Sequence, residues 1–444
     1  MTHPDATISR SAHSSHSPHS APNPAVSADH TGPAAPPRTL NRLPLPPSPP
    51  HRITSEAEAL TIAQTLADTF RASAAERDSE RRLPWDEIEQ YTASGLWAIT
   101  IPRQYGGLGA SYVTLAQLFV TICAADPSLG QIPQNHFAVL QNLSDMGDEA
   151  QRQRWFADVL GGQRIGNAGP ERKSKAARLD SPTAQLTRDA NGTLRVSGTR
   201  YYSTGSAFAH WIPFRAVDEE GRPVQVWARR DAPGVTVFDD WDAFGQRTTA
   251  SGGVIFENVA VEDRDVVPVW RFGQIPTLSG PVSQLIQASI DAGIAQGALR
   301  DALDFVRDKS RPWIDAGVRQ ASDDPYIIHE IGQLQIEVDA AHAVLLEAAQ
   351  YLDTLALGPI DESICASASV AVAEAKILTT EAALNAGEHL FALAGSASSR
   401  ARYNLDRHWR NARVHTLHDP VRWKYHLLGN YVLNGALPKR HQWN

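Results

Sequence analysis

From Ser55 onward, apolar residues recur at helical spacing: Leu60, Ile62, Leu66 and Phe70 precede the charged run Arg77 to Arg82 that closes the face. Pro84-Trp85-Asp86-Glu87 has the proline and acids of a helix's first turn. The segments Tyr112 to Ala124, Asn135 to Leu143 and Glu149 to Leu160 continue the pattern after a Gly/Pro-rich connector, Ile101 to Gly109. Residues 51–162 are therefore expected to form a helical N-terminal domain. After Gly161-Gly162 the period becomes two: Leu194 and Val196, Val224 and Val226, Val235 and Val237, Val254 and Phe256 alternate between turn residues. Short strands at this spacing predict a small antiparallel β-barrel over residues 163–275. Past Pro276 the chain reads as helix again, and Ile331, Leu334, Val338, Ala341, Leu345, Ala348 and Leu352 form a seam at alternating steps of three and four. That seam needs helical partners, and the long Ala-rich segments 283–308 and 363–394 suggest a four-helix bundle over residues 276–444. The expected fold class is α+β, mainly α, ordered helix, barrel, helix.

Composition narrows the function. The chain has 444 residues, 42% of them hydrophobic, so it can bury a large core. Its net charge of −8 offers no basic field for nucleic acid or an anionic membrane surface. The apolar stretch Ile364 to Ala375 is Ala/Ser-rich and too short to span a bilayer. Two separate cysteines, Cys123 and Cys365, make neither a disulfide framework nor a metal site and fit a reducing, cytoplasmic setting. Residues 1–50 are rich in Pro, Ser, Ala and His with few aliphatic side chains. Such a segment cannot offset its ordering entropy by burial, so it is expected to be disordered and dispensable for stability. It also lacks the apolar core of a secretory signal.

Candidate chemistry concentrates near the C-terminus, in His408-Trp-Arg410-Asn-Ala-Arg413-Val-His415-Thr-Leu-His418-Asp419-Pro420. Imidazoles three residues apart share a helix face, and histidine alone has an unperturbed pKa near neutrality, so His415 and His418 are suited to moving a proton.

The stretch Trp241-Asp242-Ala-Phe-Gly245-Gln-Arg247-Thr248-Thr249-Ala-Ser251, running on to Val261, resembles the barrel motif of the acyl-CoA dehydrogenase superfamily. Ile101-Pro102 to Gly109, followed by Ala125-Asp126-Pro127-Ser128, resembles that family's N-terminal connector and next helix. The resemblance runs from about residue 55 to the C-terminus and implies a flavin held between barrel and bundle. One flavin-contacting strand of the family corresponds to Gly166-Asn167-Ala-Gly-Pro170-Glu171, and another to Tyr201-Tyr202-Ser203-Thr204-Gly205. On that match Asn167 and Tyr201 contact the cofactor, and a hydroxyl of Ser203 or Thr204 reaches the reactive ring nitrogen. Arg311 stands where the family places an arginine on a flavin phosphate, and Gly395-Ser396 opens a segment like the one that reaches a neighbouring subunit's cofactor.

The resemblance departs at the catalytic base. The dehydrogenases' Tyr-Glu-Gly-Thr aligns with His418-Asp419-Pro420-Val421; aspartate is shorter, and proline fixes the backbone. A thioester dehydrogenase using FAD with a relocated base is thus the second reading, and a non-catalytic oligomeric scaffold the third. The His-Thr-Leu-His-Asp-Pro ending, with Gly130 to Phe137 and Arg422 to His426, looks like the flavin-dependent monooxygenase branch and its sulfur-acquisition members. This implies reduced FMN supplied by an NAD(P)H:flavin reductase, O2 and a small organosulfur substrate in a homotetramer, with His136 and Asn135 as further active-site candidates. Phe137, Tyr201, Tyr202 and Trp241 are the expected apolar walls.

Overall fold

The structure is a computed structural model that describes residues 38–170, 184–441 and 443–444. Six helices open the body: α1 (Glu56–Glu80), α2 (Trp85–Ala93), α3 (Tyr112–Ala125), α4 (Pro127–Gln131), α5 (Gln134–Met146) and α6 (Glu149–Leu160). Ser55, Ser111, Asp126 and Asp148 accept hydrogen bonds from the first-turn amides of α1, α3, α4 and α6, which fixes where each helix starts. In α1 the buried stripe is Ala59, Ala63, Ala67, Phe70 and Ala74, while Leu60, Ile62 and Leu66 are only half-buried. Small side chains bring α1 close to its neighbour α3.

The strands are β1 (Arg38–Thr39), β2 (Gln185–Arg188), β3 (Leu194–Arg200), β4 (Trp211–Val217), β5 (Pro223–Arg229), β6 (Val235–Asp239), β7 (Val254–Val261) and β8 (Val266–Val267). They form one sheet in the order β1-β6-β7-β3-β2-β4-β5-β8. The expected barrel is not closed. The edge strands β1 and β8 have two residues each and do not pair with one another, and β2 meets β4 at a single parallel pair, Gln185 with Val217. Edges this short offer too few ladder hydrogen bonds to join the ends.

Helices return with α7 (Ser279–Asp308), α8 (Pro325–Leu355), α9 (Glu362–Ala394), α10 (Asp406–His415) and α11 (Arg422–Asn434). The seam of α8 buries Leu334, Val338, Ala341, Leu345, Ala348 and Leu352 against α9 and α7. Residues 276–444 thus supply three long helices rather than the expected four. Helix α3 packs on α7 and α8, and α10 and α11 pack on α9. Replacing Val338 with Asp should put an unpaired charge into this seam at a cost of several kcal/mol, read as a lowered urea midpoint. Cys123 and Cys365 are buried free thiols. Among the described residues no helix is long and apolar enough to cross a membrane.

Residues 38–50, expected to belong to a disordered tail, instead lie on the body. Strand β1 pairs antiparallel with β6, and Leu40 is buried. The Leu40 carbonyl accepts from the Arg230 guanidinium at 2.6 Å, and the Leu45 carbonyl from His210 Nε2 at 3.0 Å. Backbone carbonyls, which composition does not report, anchor the segment by satisfying buried polar side chains. Residues 1–37 lie outside the described residues. Deleting residues 1–50 is accordingly expected to lower the thermal midpoint by a few degrees, because Arg230 and His210 lose their acceptors.

Candidate active site

A cavity of about 690 Å3 opens where α4 and α5, the sheet, α7 and the C-terminal segment meet. That volume lies within the range of small-molecule and cofactor sites. Its floor is set by the loop between β6 and β7. Gln246 and Ala250 have positive φ there, and the Gln246 amide is held by Asn411 Oδ1 at 2.7 Å. Gly245 lies so close to α10 that a Cβ would come 2.0 Å from the Arg410 carbonyl oxygen, which no side chain permits. Arg410 in turn donates to Asp78 at 2.7 Å and to the Phe244 carbonyl at 2.9 Å, while Arg81 donates to the Ala243 carbonyl at 2.9 Å. Helices α1 and α10 therefore clamp the loop that carries Trp241 into the cavity wall.

Tyr201, Tyr202 and Trp241 form an aromatic wall, with Tyr201 and Tyr202 edge-on at 4.9 Å and Tyr202 and Trp241 at 6.0 Å. Tyr202 sits at φ 56°, an uncommon conformation for a bulky residue, and is 54% exposed. Beyond this turn the two hydroxyls are placed differently. Thr204 lines the cavity, whereas Ser203 is buried outside the lining, its Oγ without a hydrogen-bond partner among the described residues. Asn167 also lines the cavity, next to Gly169 and Pro170; Glu171 lies outside the described residues.

The two C-terminal histidines behave differently. Helix α10 ends at His415, so His418 is not on its face but in the turn beyond, ring centroids 4.7 Å apart. His415 is wholly buried, its Nδ1 2.5 Å from Asp291 Oδ1. Asp291 Oδ2 accepts from Lys376 Nζ at 2.7 Å and from Thr380 at 2.9 Å. Burial alone would raise the Asp291 carboxyl, but Lys376 and His415 beside it hold it well below the usual carboxylate range. Burial also lowers His415. His418 opens onto the cavity. Its Nδ1–H donates to the His415 carbonyl at 2.7 Å, which leaves Nε2 to accept from the Gln131 amide at 3.2 Å. The surrounding protein and the neighbouring His415 hold the ring down to about 4, so it is neutral at neutral pH. Asp419 is turned away: it lies 3.5 Å from Lys424 Nζ and does not line the cavity.

Besides Ser203 and His415, the candidates His136, Arg311 and Gly395-Ser396 also lie outside the cavity lining, and Phe137 is not a wall. His136 is fully buried, donating from Nε2 to the Trp97 carbonyl at 2.7 Å and accepting the Ile165 amide at Nδ1 at 3.1 Å. Both of its ring nitrogens are bonded to backbone. Phe137 is in the core, edge-on to Phe119 at 5.6 Å. Arg311 and the Gly395-Ser396 turn are exposed and outside the lining of this chain's cavity. Asn135 does line it. Sequence reading missed the amides Gln131, Gln134 and Asn142, the hydroxyl of Ser251, the indole of Trp443 and the Asp291–Lys376 pair. The last had a visible signal: a single charge amid small and apolar residues, Ser289-Ile-Asp291-Ala-Gly and Ala375-Lys376-Ile-Leu.

Helices on either side of a sheet form the acyl-CoA dehydrogenase-like fold. Residues 55–163 match the family model for the acyl-CoA dehydrogenase N-terminal domain, and residues 285–423 that for the C-terminal domain. The chain is 34% identical over 405 residues to a dibenzothiophene monooxygenase of Rhodococcus erythropolis, covering 87% of this chain and 96% of that protein. The structure of dibenzothiophene monooxygenase TdsC from Paenibacillus sp. A11-2 with FMN and indole is 32% identical, with a TM-score of 0.81 over 87% of this chain and 100% of that one. Methanesulfinate monooxygenase MsuC from Pseudomonas fluorescens is 29% identical, also at 0.81, over 87% of this chain and 99% of that one. The chain belongs to the flavin-dependent monooxygenase branch of the acyl-CoA dehydrogenase superfamily.

Proposed function

We propose that this protein is a two-component flavin-dependent monooxygenase that uses reduced FMN and O2 to oxygenate a small organosulfur compound. One observation carries the reading beyond the family: the C-terminal segment brings a neutral imidazole to the cavity, and the adjacent carboxylate faces Lys424 instead. A thioester dehydrogenase with its base at that place would need a carboxylate there, and Asp419 is turned toward Lys424 instead. The residues present also suit an isoalloxazine, with Tyr201, Tyr202 and Trp241 as a stacking wall, Thr204 as the hydroxyl, and Asn167, Gln131 and Gln134 as amides for its polar edge. FMN is favoured over FAD because a relative from Pseudomonas putida, 29% identical over 389 residues, is described as a probable FMNH2-dependent monooxygenase, and TdsC was crystallised with FMN.

When bound, the reduced flavin supplies two electrons for O2. One oxygen atom goes to the sulfur and the other leaves as water, with oxidised FMN released. The protein's part is to bind, exclude water and manage the proton. His418 Nε2 is the position where a proton is taken up or returned. Gln131 serves both states by rotating its amide, since its Oε1 has no other partner among the described residues. His415, fixed by Asp291, orients His418 through its carbonyl. An NAD(P)H:flavin reductase feeds the enzyme, which works in the cytoplasm as a homotetramer. Arg311 and Gly395-Ser396, exposed on the single chain, then act at a neighbouring subunit's cofactor. The test is turnover with chemically reduced FMN or FAD against dibenzothiophene, methanesulfinate and acyl-CoA substrates. Oxygen-dependent S-oxidation with reduced FMN is the expected result; flavin reduction by acyl-CoA would overturn the reading.

A further inference from the structure

The lining that α5 and α7 give to the cavity carries no ionisable side chain. Ser279, Ser283 and Gln287 recur every four residues along one face of α7, and Asn135 and Asn142 come from α5, which packs on α7. One carboxyl stands directly behind this lining. Ser279, buried at the start of α7, donates from Oγ to Asp145 Oδ2 at 2.5 Å. Asp145, in the last turn of α5, does not itself line the cavity. Its other partners are neutral: Gln141 Nε2 donates at 3.2 and 3.4 Å, and the Thr277 hydroxyl joins it. Tyr112 holds Gln141 in that orientation by donating to its Oε1 at 3.1 Å. Among the described residues no cation pairs with Asp145, and burial raises its carboxyl above the ordinary value.

The charged and titratable groups around Asp145 have partners of their own. Burial raises the Tyr112 phenol on α3 and Asp353 on α8, which accepts the Tyr112 and Val113 amides at 2.7 and 3.2 Å. Cys365 on α9, also raised, donates to the Thr277 carbonyl at 3.2 Å. Arg152 on α6 donates to the Gly147 carbonyl at 2.7 Å, and Arg271 lies over the Trp270 ring at 5.5 Å. From the C-terminal segment, Arg440 pairs with Glu362 at 3.3 Å, and His441 lies 3.1 Å from the Asn444 amide.

A carboxylate can only accept, so with Asp145 ionised the Ser279 hydrogen is committed to it and the cavity meets lone pairs. A protonated Oδ2 donates to Ser279 instead, and the Ser279 hydrogen turns into the cavity. We propose that Asp145 and Ser279 form a specificity position for organosulfur oxides. The charge state of Asp145 sets whether Ser279 offers the substrate's S–O oxygen a hydrogen or a lone pair. Asp145 acts through Ser279 and is a positioning residue. The proposal rests on the organosulfur reading and adds the feature of the substrate that this wall detects. A sulfoxide oxygen is a strong acceptor and a sulfide sulfur a weak one, so only the oxide senses the change. One hydrogen bond's difference corresponds to roughly tenfold in Kd.

Methyl phenyl sulfoxide and methyl phenyl sulfide, which differ by that oxygen alone, are the probes. Kd for each is measured by calorimetry on protein saturated with oxidised FMN, at pH values above the His418 transition at about 4. Wild type should lose roughly tenfold in sulfoxide affinity as pH rises through the Asp145 transition, with sulfide affinity constant. Asp145→Asn can give Nδ2 to Ser279 and Oδ1 to Gln141, so it should keep the tight sulfoxide value at every pH. Ser279→Ala should keep the weak value at every pH, and it carries the test alone if Asp145→Asn does not fold. A pH slope that persists in Ser279→Ala, an equal slope for the sulfide, or weak binding by Asp145→Asn throughout overturns the proposal and leaves the monooxygenase reading intact. Binding of neither probe by wild type removes the organosulfur reading and the proposal with it.

Discussion

Replacing His418 with alanine is expected to leave reduced-flavin binding in place while product formation falls by about 100-fold or more, with hydrogen peroxide released instead. His418 is the imidazole that lines the cavity, and its geometry leaves Nε2 as its working nitrogen. Held down to about 4 by its surroundings, it is a neutral acceptor throughout the neutral range and is ready to take a proton without first losing one. Gln131→Leu should have a smaller effect in the same direction, since it removes the partner of Nε2 but not the imidazole. The check is simultaneous measurement of S-oxidised product and peroxide per flavin oxidised. Full coupling in His418→Ala, together with inactivity of Asp419→Ala, would make the carboxylate the base and revive the dehydrogenase reading.

The second large effect is on stability. Asp291→Ala should destabilise the fold by about 3–5 kcal/mol, because it leaves Lys376 as an uncompensated buried cation. Lys376 and Asp291 come from α9 and α7, are both essentially inaccessible, and meet at 2.7 Å. Asp291→Leu combined with Lys376→Met should recover most of the loss, since an apolar pair removes both charges at once. Urea unfolding of the three proteins decides. Linkage adds a pH signature. The Asp291 carboxyl is depressed in the fold, so its contribution is present above the unfolded carboxylate pKa and is lost as pH falls through the folded value. A wild-type urea midpoint for Asp291→Ala would mean the pair is not ionised in the fold.

What could be read from the chain alone follows from which interactions are local. Strand β7 alternates because one face is buried, so Val254 and Phe256 were visible as a pair. Strand β4 is buried at nearly every position and has no alternation to detect. In α1 the large residues suggested the packing stripe, but alanines form it, since close helix approach favours small side chains. Open versus closed sheet depends on two-residue edge strands that no periodicity reveals. Within the site, Tyr201, Thr204, Asn167 and His418 were legible from motif residues that the fold brings to one cavity. His136 was not, because the groups that bind its ring, Trp97 and Ile165, lie 39 and 29 residues away in sequence. The different placement of Ser203 and Thr204, one buried and one in the cavity lining, follows a positive φ at Tyr202 that only the folded backbone reports.

The most direct test of the central claim is a single turnover of protein preloaded with reduced FMN, mixed with an organosulfur substrate and 18O-labelled O2. Mass spectrometry then follows the label. One 18O atom is expected in the S-oxidised product and the other in water, with one equivalent of FMN oxidised. Unlabelled substrate returned with all the oxygen recovered as peroxide, together with flavin reduction by an acyl-CoA in a parallel anaerobic mix, would contradict it.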